Sequence, residues 1–456
     1  MIVSLFGQKI NPSRHVTFAA VDESIQKPYN KPKNIPGGDQ MKKKRTRRNR
    51  TVKTPNGALY LIVYLLFYPL LKLFFRLEVD RSEYHPPKGP FLILANHLAY
   101  MDFVLVMLAV YPHRLNAVTA RKYFFYPTLH RLLPFMGCIP KTQFAPDVQA
   151  VKGILEVIRR GNRVLIFPEG RSSTDGAYMG VLKATGKLVK KLEVPVVSCQ
   201  LDGAYTCMPY WRRGIRLGRL RVTLSNLFDP EDTQRLTVDE LNDQINARLS
   251  GADSRIPEKP LTLFRARRLA EGLHNVLYFC TVCKREFTLE TEGNIIHCTA
   301  CGNAAEMDRT AKLNPLPGSA VPETIDKWHR AQIAHEMQAI HENMAPIKIP
   351  VHVRMPAAPG KEMKQCGQGT LWLDATGWRY EGMLHGETVN LFFPIETVPV
   401  ISYDAAGHLQ ICASSNFYMF APEGGPRTVV KYALIGECLY WRYAPLVQIT
   451  EGYFGM

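Results

Sequence analysis

The chain has 456 residues, 46% of them hydrophobic and 21% charged, with a formal net charge of +17. That length exceeds one hydrophobic core, and the composition excludes a fibrous or wholly disordered chain, so two or more domains are expected. The basic balance favours an anionic partner: nucleic acid, an anionic membrane surface or a phosphorylated substrate.

Residues 1–50 lack apolar periodicity, contain Pro28, Pro32, Pro36 and Gly37-Gly38, and read as a disordered basic N-terminus. Met41 precedes the run from Lys42 to Arg50 and is a second candidate start. A basic run with an almost uncharged apolar stretch close behind points to anionic membrane lipids rather than DNA. No RNA-binding motif or basic zipper helix is present, so no nucleic-acid partner is expected. Residues 51–78 hold the apolar stretch as a membrane-anchoring helix. Its uninterrupted part, Ala58 to Leu71, reaches about 21 Å, short of a bilayer core of about 30 Å. Pro69 and Lys72 also interrupt it. The stretch resembles a signal peptide, but no small-residue cleavage site follows. The expectation is an anchor that dips into the cytoplasmic face of the cell membrane without crossing it.

Residues 79–262 read as α/β. Phe91 to Ala95, Arg163 to Phe167 and Val194 to Ser198 are buried strands, while Asp102 to Tyr111 and Val151 to Arg160 are helical. Such alternation predicts a largely parallel sheet covered by helices, with ligands where strands end and loops begin. Residues 263–312 are expected to hold a basic helix over 263–277 and then a zinc ribbon. Residues 313–346 form a helical linker, with a polar helix over 321–345. From 347 to 456 the pattern turns to short alternating strands. Gly369 to Leu373, Trp378 to Glu381, Val389 to Phe393, Leu409 to Ala413 and Asn416 to Phe420 are the candidates, closed by a helix from Thr428 to Trp441.

Two constellations carry chemistry in the α/β region. Asn96-His97-Leu98-Ala99-Tyr100-Met101-Asp102 follows one buried strand and precedes a helix. Moving an acyl group onto an alcohol needs a base within reach of the hydroxyl and a carboxylate to fix the imidazole tautomer. On one regular helix these side chains would stand about 140° apart. With His97 in the turn and Asp102 in the first helical turn, they can converge. The plain alternative is a helix cap beside a loop-filling histidine. The second constellation, Phe167-Pro168-Glu169-Gly170-Arg171-Ser172-Ser173, ends the next buried strand. Gly170 permits close backbone approach, and Arg171 with two hydroxyls suits a phosphate. An ordinary strand-end turn with a surface ion pair is the alternative there.

Together with Gly137-Cys138-Ile139-Pro140-Lys141 and Val194-Pro195-Val196-Val197, these motifs resemble the lysophosphatidic acid acyltransferase branch of the glycerolphosphate acyltransferase superfamily. The resemblance covers residues 58–250. It implies His97 as general base with Asp102 as its partner, and substrate-binding roles for Asn96, Lys141, Glu169, Gly170, Arg171 and Ser172, with Arg171 on the acceptor phosphate. It further implies a lysophospholipid acceptor, an acyl-CoA or acyl-carrier-protein donor, and no catalytic metal. Lys141 stands where the family has arginine, and a threonine is missing before Arg171, which puts the acceptor headgroup in question more than the reaction. Arg121, Lys122, Arg212, Arg213 and Arg216 are candidates for donor phosphates or lipid headgroups.

Four of the ten cysteines form two close pairs, Cys280/Cys283 and Cys298/Cys301, and the others are scattered. This is the usage of a reducing compartment with a metal site, not of a disulfide framework. Two knuckles of this spacing suit a closed, structural, tetrahedral Zn2+ site, and an iron site with the same ligands stays open. The terminal domain resembles a pleckstrin-homology-like or GRAM-like barrel in pattern only. Two alternatives to lysophosphatidic acid acylation remain: another lysophospholipid or polyol acceptor, or a catalytically silent lipid-binding scaffold.

Overall fold

The computed structural model describes residues 52–144, 147–212, 214–250, 266–341, 345–358, 360–398, 400–403, 407–413 and 416–443. The basic N-terminus and Arg213 lie outside the described residues.

The chain enters through α1 (Gly57–Phe75), capped where the Asn56 side chain accepts the Leu59 N–H at 3.0 Å. This helix runs unbroken through Pro69, so the expected interruption there does not occur. At about 1.5 Å per residue its 19 residues reach about 28 Å, long and apolar enough to cross a membrane. Tyr60, Leu71 and Phe75 nevertheless pack into the core, and the Tyr60 hydroxyl donates to the Leu115 carbonyl at 2.8 Å. On the opposite face Ile62, Leu66, Leu70 and Leu73 are exposed, spaced four, four and three apart as one helical stripe.

After β1 (Glu78–Glu83) come β2 (Leu92–Ala95), α2 (Asp102–Ala109), β3 (Leu115–Ala120), α3 (Pro127–Phe135), β4 (Ile139–Lys141), α4 (Val148–Arg159) and β5 (Arg163–Ile166). Next follow α5 (Ala184–Leu192), β6 (Val196–Asp202), α6 (Ala204–Cys207), β7 (Arg221–Phe228), α7 (Pro230–Arg235) and α8 (Val238–Leu249). The seven strands form one sheet in the order β1-β7-β6-β2-β5-β3-β4. Pairing is parallel throughout except between β6 and β7. The central strand β2 is buried along its whole length, as its unbroken Leu-Ile-Leu-Ala requires with both faces covered. The loops after β2 and β5 therefore emerge side by side at one edge of the sheet.

The expected basic helix over 263–277 is not formed across 266–277. Those residues make turns and a short 3-10 segment, Leu273–Asn275. Gly272 breaks the helix at φ +90, where a Cβ would stand 2.6 Å from the Trp211 carbonyl oxygen. The antiparallel strands β8 (Leu289–Glu292), β9 (Ile295–Cys298), β10 (Ala304–Met307) and β11 (Leu313–Pro315) follow, then α9 (Ile325–His341). A second seven-stranded sheet holds β12 (Ile347–Pro356), β13 (Met363–Asp374), β14 (Gly377–Leu384), β15 (Glu387–Pro394), β16 (Ser402–Tyr403), β17 (Leu409–Ala413) and β18 (Asn416–Pro422). Its order is β15-β14-β13-β12-β18-β17-β16, antiparallel throughout, and α10 (Pro426–Tyr443) closes it. β12 was absent from the strands expected from the sequence.

Candidate active site

His97 stands in the turn between β2 and α2, and Asp102 is the first residue of α2. The imidazole Nδ1 lies 2.8 Å from Asp102 Oδ2. The same oxygen accepts the Leu98 and Ala99 N–H groups at 2.6 and 2.8 Å. Three donors on one oxygen suit the ionised carboxylate and lock the turn that carries the histidine. Asp102 is wholly buried, which anchors the acceptor end of the bond to the ring. The imidazole stacks on Phe167, ring centroids 4.3 Å apart, while its side chain keeps 25% exposure. Bonding Nδ1 to the carboxylate fixes the proton there and leaves Nε2, on the far side of the ring, as the basic nitrogen.

The loop after β5 holds the other side of this turn. The His97 N–H donates to Glu169 Oε1 at 2.7 Å, and the His97 carbonyl accepts the Ser173 N–H at 2.8 Å. Glu169 Oε2 accepts the Met179 N–H at 3.0 Å, so this fully buried carboxyl spends both oxygens on backbone. Burial pushes its pKa up to about 8, and the neighbouring Asp102 charge adds to the shift against the two N–H donors. A proton retained on Glu169 spares the site a second buried negative charge. Gly170 turns the loop at φ +79, where a Cβ would meet Phe144 Cε1 at 2.9 Å.

The expected substrate contacts divide into two groups. Asn96 is fully buried, its amide giving to and taking from the Leu201 backbone at 2.9 and 2.7 Å. Asn96 and Glu169 thus spend their polar atoms on backbone groups that brace the His97 turn. Lys141 ends β4 with its ammonium on the Thr142 carbonyl at 3.0 Å, and burial lowers its pKa. Gln143, two residues on, donates to the Gly170 carbonyl at 2.8 Å, which ties the β4 end to the β5 loop. Ser172 is half-buried on that loop. Arg171 is only 15% exposed, and both of its terminal nitrogens bond the carboxylate of Glu437 on α10, Nη2 to Oε2 at 3.0 Å. A cleft beside it is lined by Arg171, Asp175, Met179, His329, Leu434 and Glu437.

Glu437, Asp175 and His329 were not among the residues singled out from the sequence. Asp175 carried the one usable signal, an acidic residue in a strand-end loop. The other candidate cations separate clearly. Arg121 reaches Asp147 at 2.9 Å and Thr142 at 3.0 Å. Arg212 donates to the Arg267 and Arg268 carbonyls. Arg216 is buried, stacks on Trp211 and donates to the Leu269 carbonyl, so it is a core residue and not a headgroup ligand.

The four cysteines converge as well. Cys280 and Cys301 lie 3.7 Å apart at sulfur, as do Cys283 and Cys298. All four sulfurs fall within 4.8 Å of one another. A tetrahedron with metal–sulfur bonds of about 2.3 Å places its corners about 3.8 Å apart, so the donor set fits zinc. Both pairs are too far apart for a disulfide, whose sulfurs stand about 2.0 Å apart. His297 on β9 is not part of the cluster.

Residues 76–202 match the family model described as Acyltransferase. The His97 turn and the Glu169 loop both fall inside that match, so the stretch carrying the site is the stretch that is similar to acyltransferases. Among named relatives, a 1-acyl-sn-glycerol-3-phosphate acyltransferase of Limnanthes alba is 28% identical, covering 41% of this chain and 62% of its own length. The chloroplastic 1-acyl-sn-glycerol-3-phosphate acyltransferase BAT2 of Brassica napus is 26% identical, covering 31% of this chain and 42% of its own. The chain thus spans about half the length of these curated relatives. The crystal structure of the 1-acyl-sn-glycerophosphate (LPA) acyltransferase PlsC from Thermotoga maritima aligns at 22% identity with a TM-score of 0.35. That alignment covers 42% of this chain and 81% of the other.

Proposed function

We propose that the protein moves a fatty acyl group from a CoA or acyl-carrier-protein thioester to the free hydroxyl of lysophosphatidic acid, forming phosphatidic acid. The observation that carries this reading is the His97–Asp102 pair, 2.8 Å apart in a turn clamped from both sides. His97 Nε2 takes the acceptor's hydroxyl proton as the alkoxide attacks the thioester carbonyl. Asp102 stabilises the resulting imidazolium, which returns the proton to the departing thiolate. The thioester is already activated, so no residue of the chain need be acylated. Relatives named as 1-acyl-sn-glycerol-3-phosphate acyltransferases support lysophosphatidic acid as the acceptor. The test is a panel of lyso-acceptors with one labelled acyl donor. Lysophosphatidic acid should be the best acceptor, and its product should fall about 10²–10⁴-fold in His97→Ala. Preference for a polyol, or no transfer at all, would overturn the reading.

The four cysteines hold a structural zinc, which organises the knuckles and takes no part in acyl transfer. About one zinc per chain is expected by elemental analysis, and none, or iron, would refute it. The helix α1 lies along the cytoplasmic leaflet. Its ends pack on one domain through Tyr60 and Phe75, while the opposite stripe is apolar and exposed, the arrangement of an interfacial anchor. Labelling of Ser82→Cys in intact cells by an impermeant external reagent would exclude that placement.

A further inference from the structure

We propose that Glu437 is a specificity-determining residue of the acceptor site. Its carboxylate holds the fork of Arg171 that a headgroup phosphate would take, so an anionic acceptor must displace it. This rests on the reading of Arg171 as the phosphate ligand. Carboxylates and phosphates present the same pair of oxygens to the two outer nitrogens of a guanidinium, and both cannot use that edge together. Glu437 is 2% exposed at its side chain and bonds both Nη atoms, so the pair is formed, desolvated and neutral. A phosphate arriving beside a retained Glu437 would meet a like charge in a poorly solvated place.

The helix that delivers Glu437 is held independently of Arg171. The guanidinium of Arg427 grips Glu290 of β8 at 2.8 and 2.7 Å. One turn later Lys431 pairs with Glu286, beside the cysteine knuckle at 280–283. Gly436, adjacent to Glu437, lets α10 lie against Trp378, whose Cζ2 would stand 2.8 Å from a Cβ there. The loop carrying Arg171 is also bonded by α9 and by the C-terminal sheet. Thr174 bonds the Tyr403 hydroxyl at 2.9 Å, and Asp175 bonds His329 at 3.0 Å. The headgroup side of the site is thus built jointly by the acyltransferase loop and the C-terminal elements. Selectivity is set where they meet.

The test uses the full chain and the isosteric variant Glu437→Gln, with lysophosphatidic acid and uncharged monoacylglycerol compared as acceptors in the same micelles. Removing the competing charge should lower KM for lysophosphatidic acid about tenfold, equivalent to about 1.4 kcal/mol. Monoacylglycerol should gain nothing, and Arg171→Ala should abolish the gain. An unchanged or raised KM for lysophosphatidic acid, or an equal gain for both acceptors, would overturn the proposal. Should that variant fail to fold, Glu437→Asp serves, because it withdraws the carboxylate by one methylene. Equilibrium binding of lysophosphatidic acid in a His97→Ala background separates the two claims. Absence of phosphatidic acid formation by both the parent chain and Glu437→Gln, each with His97 intact, defeats the proposed reaction. Tighter binding with Glu437→Gln still upholds the role of Glu437, and equal binding refutes it.

Discussion

Two histidine–aspartate pairs lie on either side of the β5 loop. His97 Nδ1 is 2.8 Å from Asp102 Oδ2, and His329 Nδ1 is 3.0 Å from Asp175 Oδ2. The bonds are chemically alike, but their settings differ. The first closes over five residues within one turn, and its imidazole keeps a quarter of its surface open. The second joins residues 154 apart, and its imidazole is 9% exposed. Burial alone would raise the pKa of Asp175, but the His329 bond and charge, with the Ala177 and Ser173 donors, outweigh it and hold the carboxyl near 2. A pair of this geometry acts as a base only where the second ring nitrogen meets substrate. Where the ring is enclosed, the same pair fastens α9 to the β5 loop.

The contrast breaks most sharply under paired substitutions. His97→Ala should cost about 10²–10⁴-fold in turnover, with the melting temperature nearly unaltered, because the ring sits in a turn. Asp102→Asn should fall in the same range, since the amide no longer fixes the tautomer or stabilises the imidazolium. His329→Ala should do the reverse, costing about 3–5 kcal/mol of stability by stranding a buried carboxylate, with a smaller loss of turnover. Calorimetry and initial rates on the same preparations decide it. Comparable losses of turnover in His97→Ala and His329→Ala would mean that the second pair also serves chemistry.

The first pair was legible in the sequence and the second was not, for a physical reason. Strand, turn and helix succeed one another within a dozen residues at 91–102, so local spacing sets the His97–Asp102 geometry. The strands β2 and β5 were readable as short apolar runs for the same reason. Arg171–Glu437 and Asp175–His329 join residues 266 and 154 apart, and no local pattern signals such partners. β12 escaped because Pro350 and Pro356 demote a run that otherwise alternates. Pro350 is tolerated because it stands at the end of the pairing with β18, where its carbonyl accepts the Glu423 N–H at 3.2 Å and its missing N–H costs only a terminal bond. The turns at 266–277 were misread because a basic, partly apolar composition resembles a helix until Gly272 is seen against Trp211.

The smallest expected effect concerns Glu169, whose backbone bonds hold the His97 turn from the side opposite Asp102. Its carboxyl is raised by burial from 4.5 to about 8, so between those values the folded chain binds a proton that the unfolded chain has released. Its contribution is fully present below about pH 4.5 and is lost as pH rises through 8. Asp147 and Asp175, both held near 2, have the opposite sign, but their contributions change only below about pH 4. The window from pH 5 to 8 therefore isolates Glu169 from those two carboxylates. Glu169→Gln should be less stable at every pH, because an amide nitrogen would face one of two backbone N–H donors. What distinguishes the variant is its slope. The stability of the parent chain should decline relative to Glu169→Gln across pH 5–8, as read by denaturant unfolding at fixed ionic strength. Parallel stability curves would mean that Glu169 is ionised throughout, and the turn would then hold two buried negative charges against one imidazole.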